Sequence, residues 1–166
     1  MHIDYAGPLN GYFYLIIIDS FSKWPEIYKF RHPTATNTIK ALDEVFSRFG
    51  TSRILVSDNV TMFTGKEFKD SCSSLAIEHI MTPAYNPRSN GQAERFVDTF
   101  KRALRKNQGL DTDERSIQKF LAVYRITPNP NTSAKLSPAE LMFARKIRSV
   151  FDRLLPRLKK KIPPPK

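Results

Sequence analysis

Three carboxylates stand out by position: Asp4 near the start of the chain, then Asp58 and Glu94, the last two separated by 35 residues. Glu94 lies in a stretch whose apolar residues fall at Ala93, Phe96, Val97, Phe100, Ala103 and Leu104. That is the i, i+3, i+4, i+7 spacing of one helix face. Ser89 followed by Gln92 looks like a capping box, so the helix should begin within a residue or two of Asn90. At about 100° per residue, Glu94, Asp98, Lys101 and Arg105 form a second stripe, turned away from the apolar one. A metal at the leading carboxylate and a polyanion lying along the cations fit this layout. Taken alone, the same helix reads more simply as an amphipathic element with a solvated, charged outer face.

The elements that must position these acids follow from periodicity. Tyr12 to Ile18 is β-branched and aromatic and apolar on both faces, as expected of a central strand covered by helices on both sides. A strand starting near His2 precedes it, with turns expected at Gly7-Pro8 and Asn10-Gly11. Ser20 to Pro25 reads as a turn, and Glu26 to Phe30 alternates like a third, half-exposed strand. These three form an antiparallel meander. Thr34 to Phe49 predicts a helix with Ile39, Leu42, Val45, Phe46 and Phe49 inward, ended by Gly50. Arg53 to Ser57 is a short buried strand that delivers Asp58 at its C-terminal end. Gly65 to Leu75 predicts a helix with Phe68, Cys72 and Leu75 inward, and Glu78 to Thr82 a fifth strand. Residues 83–91 form a Pro- and Asn-rich loop before the Glu94 helix, which stops near Gln108-Gly109. Ser116 to Arg125 is another helix, and a short one runs over 138–146 with Pro138 at its first position. The order βββ-α-β-α-β-α-α makes an α/β fold with a five-stranded mixed sheet flanked by helices on both faces. Residues 1–150 form the domain and 151–166 a basic, proline-rich tail.

The bulk numbers narrow the function classes. The chain has 166 residues, 40% of them hydrophobic, enough for one domain with a substantial core. Its longest apolar run is strand length, so no membrane partner is expected, and no secretory signal pattern is visible. The single Cys72 cannot form an internal disulfide and argues for a reducing compartment; with three histidines it also rules out a self-contained zinc finger. The net charge is +11, of which +4 lies in residues 88–106 and +8 in residues 145–166, the remainder summing to −1. Polyanions are the natural partners of such a stripe and tail. A tail of this kind otherwise serves solubility or nuclear import.

The chain resembles the catalytic core of the DDE integrases of retroviruses and long-terminal-repeat retrotransposons, and among these the Ty3/Gypsy type most. The resemblance rests on His2-Ile3-Asp4-Tyr5-Ala6-Gly7-Pro8-Leu9, Phe21-Ser22-Lys23-Trp24-Pro25, Ser57-Asp58-Asn59, the run from Tyr85 through Asn90 to Arg95, and Ser137-Pro138-Ala139-Glu140-Leu141. It implies a ribonuclease-H-like fold, in agreement with the element order above. It also implies a polynucleotidyl transferase whose acidic triplet, Asp4, Asp58 and Glu94, is both catalytic and metal-binding. Mg²⁺, with Mn²⁺ as a substitute, suits oxygen ligands. Two such ions about 3.5–4 Å apart clamp the attacking and leaving oxygens of an in-line displacement, with Asp4 bridging them. The family uses the site twice. It first cleaves near the 3′ end of the element's DNA as an endonuclease, and then transfers that strand to target DNA.

The implied partners are duplex DNA, at the element's ends and the target, and further copies of the chain in a homodimer or higher oligomer. The implied location is the nucleus. Arg88, Asn90, Lys101, Arg105 and the tail residues Lys159, Lys160 and Lys161 are the DNA-binding candidates. Asn59 is placed to orient the site, Asp19 is read as a turn residue, and Trp24 as a packing residue. Val60 departs from the family, which has glycine two residues after the second aspartate; a β-branched residue resists positive φ and close backbone approach. Met62 and Asp98 depart too, and neither a zinc-binding domain nor a recognisable C-terminal domain is expected beside the core from these residues. These departures leave a second reading, a catalytically silent, domesticated module that binds DNA or a chromatin partner. A third, a ribonuclease H, would use a fourth carboxylate and different spacing.

Overall fold

The computed structural model describes residues 1–82, 95–103, 114–130, 132, 135–149 and 152. Five strands, β1 (His2–Leu9), β2 (Tyr12–Ile18), β3 (Pro25–Phe30), β4 (Ile54–Ser57) and β5 (Glu78–Met81), form one sheet in the order β3-β2-β1-β4-β5. The first three pair antiparallel, while β4 pairs parallel with β1 and β5 parallel with β4. Among the described residues the helices are α1 (Ala35–Phe49), α2 (Thr61–Thr64), α3 (Lys66–Ser74), α4 (described over 95–103), α5 (Glu114–Ile126) and α6 (Pro138–Phe143).

The two-sided apolar character of β2 is realised as two cores. Leu15 and Ile17 join Ile3 and Leu55 beneath Ala41, Leu42, Val45 and Phe46 of α1, Phe63 of α2 and Phe68 of α3. Tyr14, Ile16 and Ile18 join Ala6 on the opposite face, beneath Phe96, Val97 and Phe100 of α4 and Ile117 and Leu121 of α5. Alternation along the strand sends successive side chains to opposite faces. β2 is therefore buried on both sides, and its fully apolar composition is what lets helices dock there twice.

Local signals set most element ends. The Thr34 hydroxyl caps α1 by accepting from the Asn37 N–H, and Gly50 ends that helix at φ 85°. Asn10 and Gly11 both take positive φ, 51° and 76°, the pair of left-handed residues that a two-residue hairpin of matching twist requires. Ser137 and Glu140 form a reciprocal capping box at the start of α6.

Four expectations are corrected. Gly7-Pro8 is not a turn: β1 runs through it to Leu9, with a register irregularity between Ala6 and Leu9. Leu75 does not face the core; it follows the last residue of α3 and is exposed. α6 ends at Phe143 rather than residue 146, because Ala144 turns left-handed at φ 53°. β4 is buried on one face only, Leu55 and Ser57 inward and Ile54 exposed. The short α2 has no counterpart in the sequence reading, since four residues are too few to show a period. The loop at 83–91 and both ends of the Glu94 helix lie outside the described residues.

Candidate active site

Asp4 sits in the middle of β1, opposite Ile16 of β2. Its strand neighbours Ile3 and Tyr5 belong to the α1 side of the sheet, and Ala6, two residues on, to the α4 side. Alternation therefore puts Asp4 on the α4 side. The Tyr5 backbone N–H donates to Asp4 Oδ1 at 2.7 Å.

Asp58 is the first residue after β4, and β4 pairs parallel with β1. His2 pairs with Val56, and the Val56 N–H donates to the Met1 carbonyl at 2.9 Å. The ladder pairing ends there, two residues before each acid, so it puts Asp4 and Asp58 on neighbouring strands without pairing them directly. Leu55 and Ser57 face the α1 side, so strand alternation carried one residue past β4 turns Asp58 to the side of Asp4. Burial raises the Asp58 carboxyl above its ordinary 3.8, against the lowering effect of the backbone N–H of Val60 and its own. The Val60 N–H donates to Asp58 Oδ1 at 3.3 Å.

Two oxygen-donating carboxylates on neighbouring strands, one with its negative charge disfavoured by burial, suit a hard divalent cation. Among the described residues no three His, Cys, Asp or Glu side chains gather as a metal-holding set. The third acid of the sequence reading, Glu94, lies outside those residues, as do Arg88, Asn90, Arg105, Lys159, Lys160 and Lys161.

The described part of α4 covers residues 95–103. Phe96, Val97 and Phe100 are buried as the periodicity requires, Asp98 is exposed and Lys101 half-buried. The basic surface on this helix is wider than the stripe read from the sequence, since Arg95 and Arg102 are also exposed. Arg95 lines a cavity together with Lys23 and the end of α5.

Val60 takes φ −68° and ψ 151° at the head of α2, ordinary extended backbone. It packs with Met62 against the α1-side core. The departure from glycine therefore imposes no positive φ. Asn59 beside Asp58 is exposed. Asp19 is a turn residue, its Oδ2 accepting from both the N–H and the hydroxyl of Ser22 at 2.7 Å. Trp24 is buried, donates through Nε1 to Glu26 at 3.0 Å, and stacks edge-on with Phe143. It is a packing residue.

The family model of the integrase core domain matches residues 1–87. The chain belongs to the integrase core family. It is 43% identical over 157 residues to an uncharacterized protein of Caenorhabditis elegans, covering 94% of this chain and 12% of that protein. It is 36% identical over 140 residues to the Pol polyprotein of radiation murine leukemia virus (strain Kaplan), covering 81% of this chain and 24% of the polyprotein. The chain thus spans a quarter or less of these relatives. Among solved structures it resembles the HTLV-2 integrase catalytic core domain in complex with magnesium (trimeric form), with TM-score 0.66 and 22% identity over 85% of this chain and 93% of that one. The fold of this integrase core is ribonuclease-H-like.

One cluster behind Asp58 escaped the sequence reading. Ser57 is fully buried; its hydroxyl lies 2.8 Å from His79 Nε2 and donates to the Asp58 carbonyl at 2.8 Å. Thr82 donates to the Ser57 carbonyl through its N–H at 2.8 Å and its hydroxyl at 3.1 Å. The available signal was a serine at an inward-facing strand position, one residue before a candidate acid. Burial of Ser57 excludes it as a nucleophile for an external substrate.

Proposed function

We propose that this core is a divalent-metal-dependent polynucleotidyl transferase acting on duplex DNA in the nucleus, performing the 3′-end processing and strand transfer of a retroelement. The observation that carries the reading is the parallel pairing of β1 with β4, which supports Asp4 and Asp58 as neighbours on the sheet face covered by α4. Asp4, Asp58 and Glu94 are the metal-holding acids in this reading. Mg²⁺ or Mn²⁺, when bound, supplies Lewis-acid stabilisation of an attacking and a leaving phosphate oxygen. The rest is the chain's own work. Lys101, with Arg88, Asn90 and Arg105, holds the DNA backbone beside the acids, and the 151–166 tail, with Lys159, Lys160 and Lys161, adds sequence-independent phosphate contacts. The HTLV-2 neighbour is a trimeric form with magnesium, which supports both the metal and self-association. The unstrained backbone at Val60 removes the local reason for the silent, domesticated alternative.

Glu94→Gln is the deciding variant. It keeps the side chain's shape and removes one negative charge. Strand cleavage or joining on a labelled branched DNA in Mg²⁺ or Mn²⁺ should fall roughly a thousandfold or more. Duplex affinity measured without metal should be equal or slightly higher, since a like-charge repulsion with phosphate is gone. Full activity in Glu94→Gln would remove Glu94 from the metal set. An unmodified core that neither binds Mn²⁺ by calorimetry nor cuts DNA would establish the silent module instead.

A further inference from the structure

We infer that His79 is a positioning residue for Asp58, acting through the Ser57 hydroxyl. The inference rests on the proposed role of Asp58 as a metal-holding acid. His79 lies on β5, opposite Leu55 of β4, and neither strand position reaches the Asp4 side of the sheet. Its ring stands edge-on to Phe68 at 5.1 Å, which fixes the imidazole plane against the α1-side core.

The direction of the hydrogen bonds follows from counting protons. A serine hydroxyl has one proton to donate. Ser57 Oγ lies 2.8 Å from two groups, the Asp58 carbonyl oxygen and His79 Nε2. The carbonyl is an acceptor only, so the Ser57 proton goes there. His79 Nε2 must then carry a proton and donate to Ser57 Oγ. The result is a directed chain: His79 Nε2–H to Ser57 Oγ, Ser57 Oγ–H to the Asp58 carbonyl. The opposite tautomer would leave two acceptors facing each other at hydrogen-bond distance behind the acid.

Thr82, the residue after β5, completes the clamp by donating twice to the Ser57 carbonyl. The peptide entering Asp58 is thus held by Thr82 and the one leaving it by His79 through Ser57. Asp58 follows the last residue of β4, where ladder hydrogen bonds no longer fix the backbone. Hydrogen bonds from His79 of β5, through Ser57, and from Thr82 take their place, and they set the angle at which the carboxylate leaves the sheet. Partners of this kind, one bond removed from a ligand, tune metal affinity by about 10–100-fold.

The test pairs two variants with one spectrum on the whole chain. His79→Phe keeps the ring on Phe68 and loses the donor; His79→Gln restores an N–H donor without the ring. Mn²⁺ affinity by calorimetry should weaken at least about tenfold in His79→Phe and stay within about threefold of the parent in His79→Gln. A purely structural histidine would instead lower the melting temperature of both variants and leave metal affinity alone. Ring ¹⁵N chemical shifts of the unmodified, metal-free protein should show the proton on Nε2, with Nδ1 as the bare nitrogen. A proton on Nδ1, or unchanged Mn²⁺ affinity in folded His79→Phe, overturns the inference. If the unmodified protein takes up no Mn²⁺ while the spectrum shows the Nε2 proton, the metal reading fails and the hydrogen-bond chain stands.

Discussion

At Asp58, burial and function pull in opposite directions. Its carboxyl is raised by desolvation, so the folded state holds a proton more tightly than the unfolded chain does. The associated stability is fully present below the ordinary 3.8 and is lost as pH rises through the higher folded value. Near neutral pH the metal-free protein therefore carries a charge that its surroundings disfavour. Asp58→Asn removes that charge, and its metal-free melting temperature at about pH 7 should exceed the parent's, with a flatter melting curve between about pH 4 and 7. Millimolar Mn²⁺ should then raise the melting temperature of the parent and not of the variant. A variant that melts below the parent at neutral pH would mean that the Val60 N–H contact, not burial, dominates. Val60 shows why a residue must be read with its backbone. Its identity departs from the family's glycine, but its φ of −68° is one that valine adopts freely.

Strand β1 is the element on which the site depends, because it carries Asp4 and lies between β2 and β4. It also holds the most closely approached of the described glycines. Gly7 takes φ 132°, and a Cβ there would lie 2.8 Å from the Tyr12 carbonyl oxygen and 3.1 Å from Phe13 Cα. Both obstacles are backbone atoms of β2, so no side chain can swing away. Gly7→Ala should destabilise the fold by roughly 2–3 kcal/mol in urea unfolding. Its activity per folded molecule should fall much less, because Asp4 lies on the regular side of the irregularity at Ala6. A stability change below about 0.5 kcal/mol would mean that the strand relaxes at Gly7. Helix α4 contributes differently. Its buried face docks on Tyr14, Ile16 and Ala6, which fixes the side of the sheet to which its charged face belongs. α5 is tied to β3 by Arg125, which meets Glu26 at 3.0 Å and lies over the Trp24 ring at 4.2 Å.

For the whole molecule the governing quantity is the distribution of its +11 charge. Residues 157–166 hold five cations and no anion. Deleting them should make the slope of log K against log salt shallower by up to about 4–5 units on duplex DNA. An unchanged slope in a salt titration would show that the tail makes no phosphate contact and that the helix stripe carries the electrostatic binding. Strand cleavage at saturating DNA should be unaffected, since the tail holds none of the acids.

The sequence by itself determined the element order, the two-faced burial of β2 and the candidate acids. These are local matters. A period of two or 3.6, a capping serine or a glycine at a helix end is written within a few consecutive residues. The family resemblance added the roles. Only the tertiary structure decided that β1 lies between β2 and β4, because pairing partners 54 residues apart, such as His2 and Val56, leave no mark on local periodicity. That one pairing is what brings the strands leading to Asp4 and Asp58 side by side. The structure likewise decided that Gly7-Pro8 continues a strand, since the irregularity needs the β2 backbone against it. The link from His79 through Ser57 to Asp58 could not be read from the chain either. It joins residues 22 apart across two parallel strands, and a hydrogen bond's direction depends on atoms that only folding brings within reach.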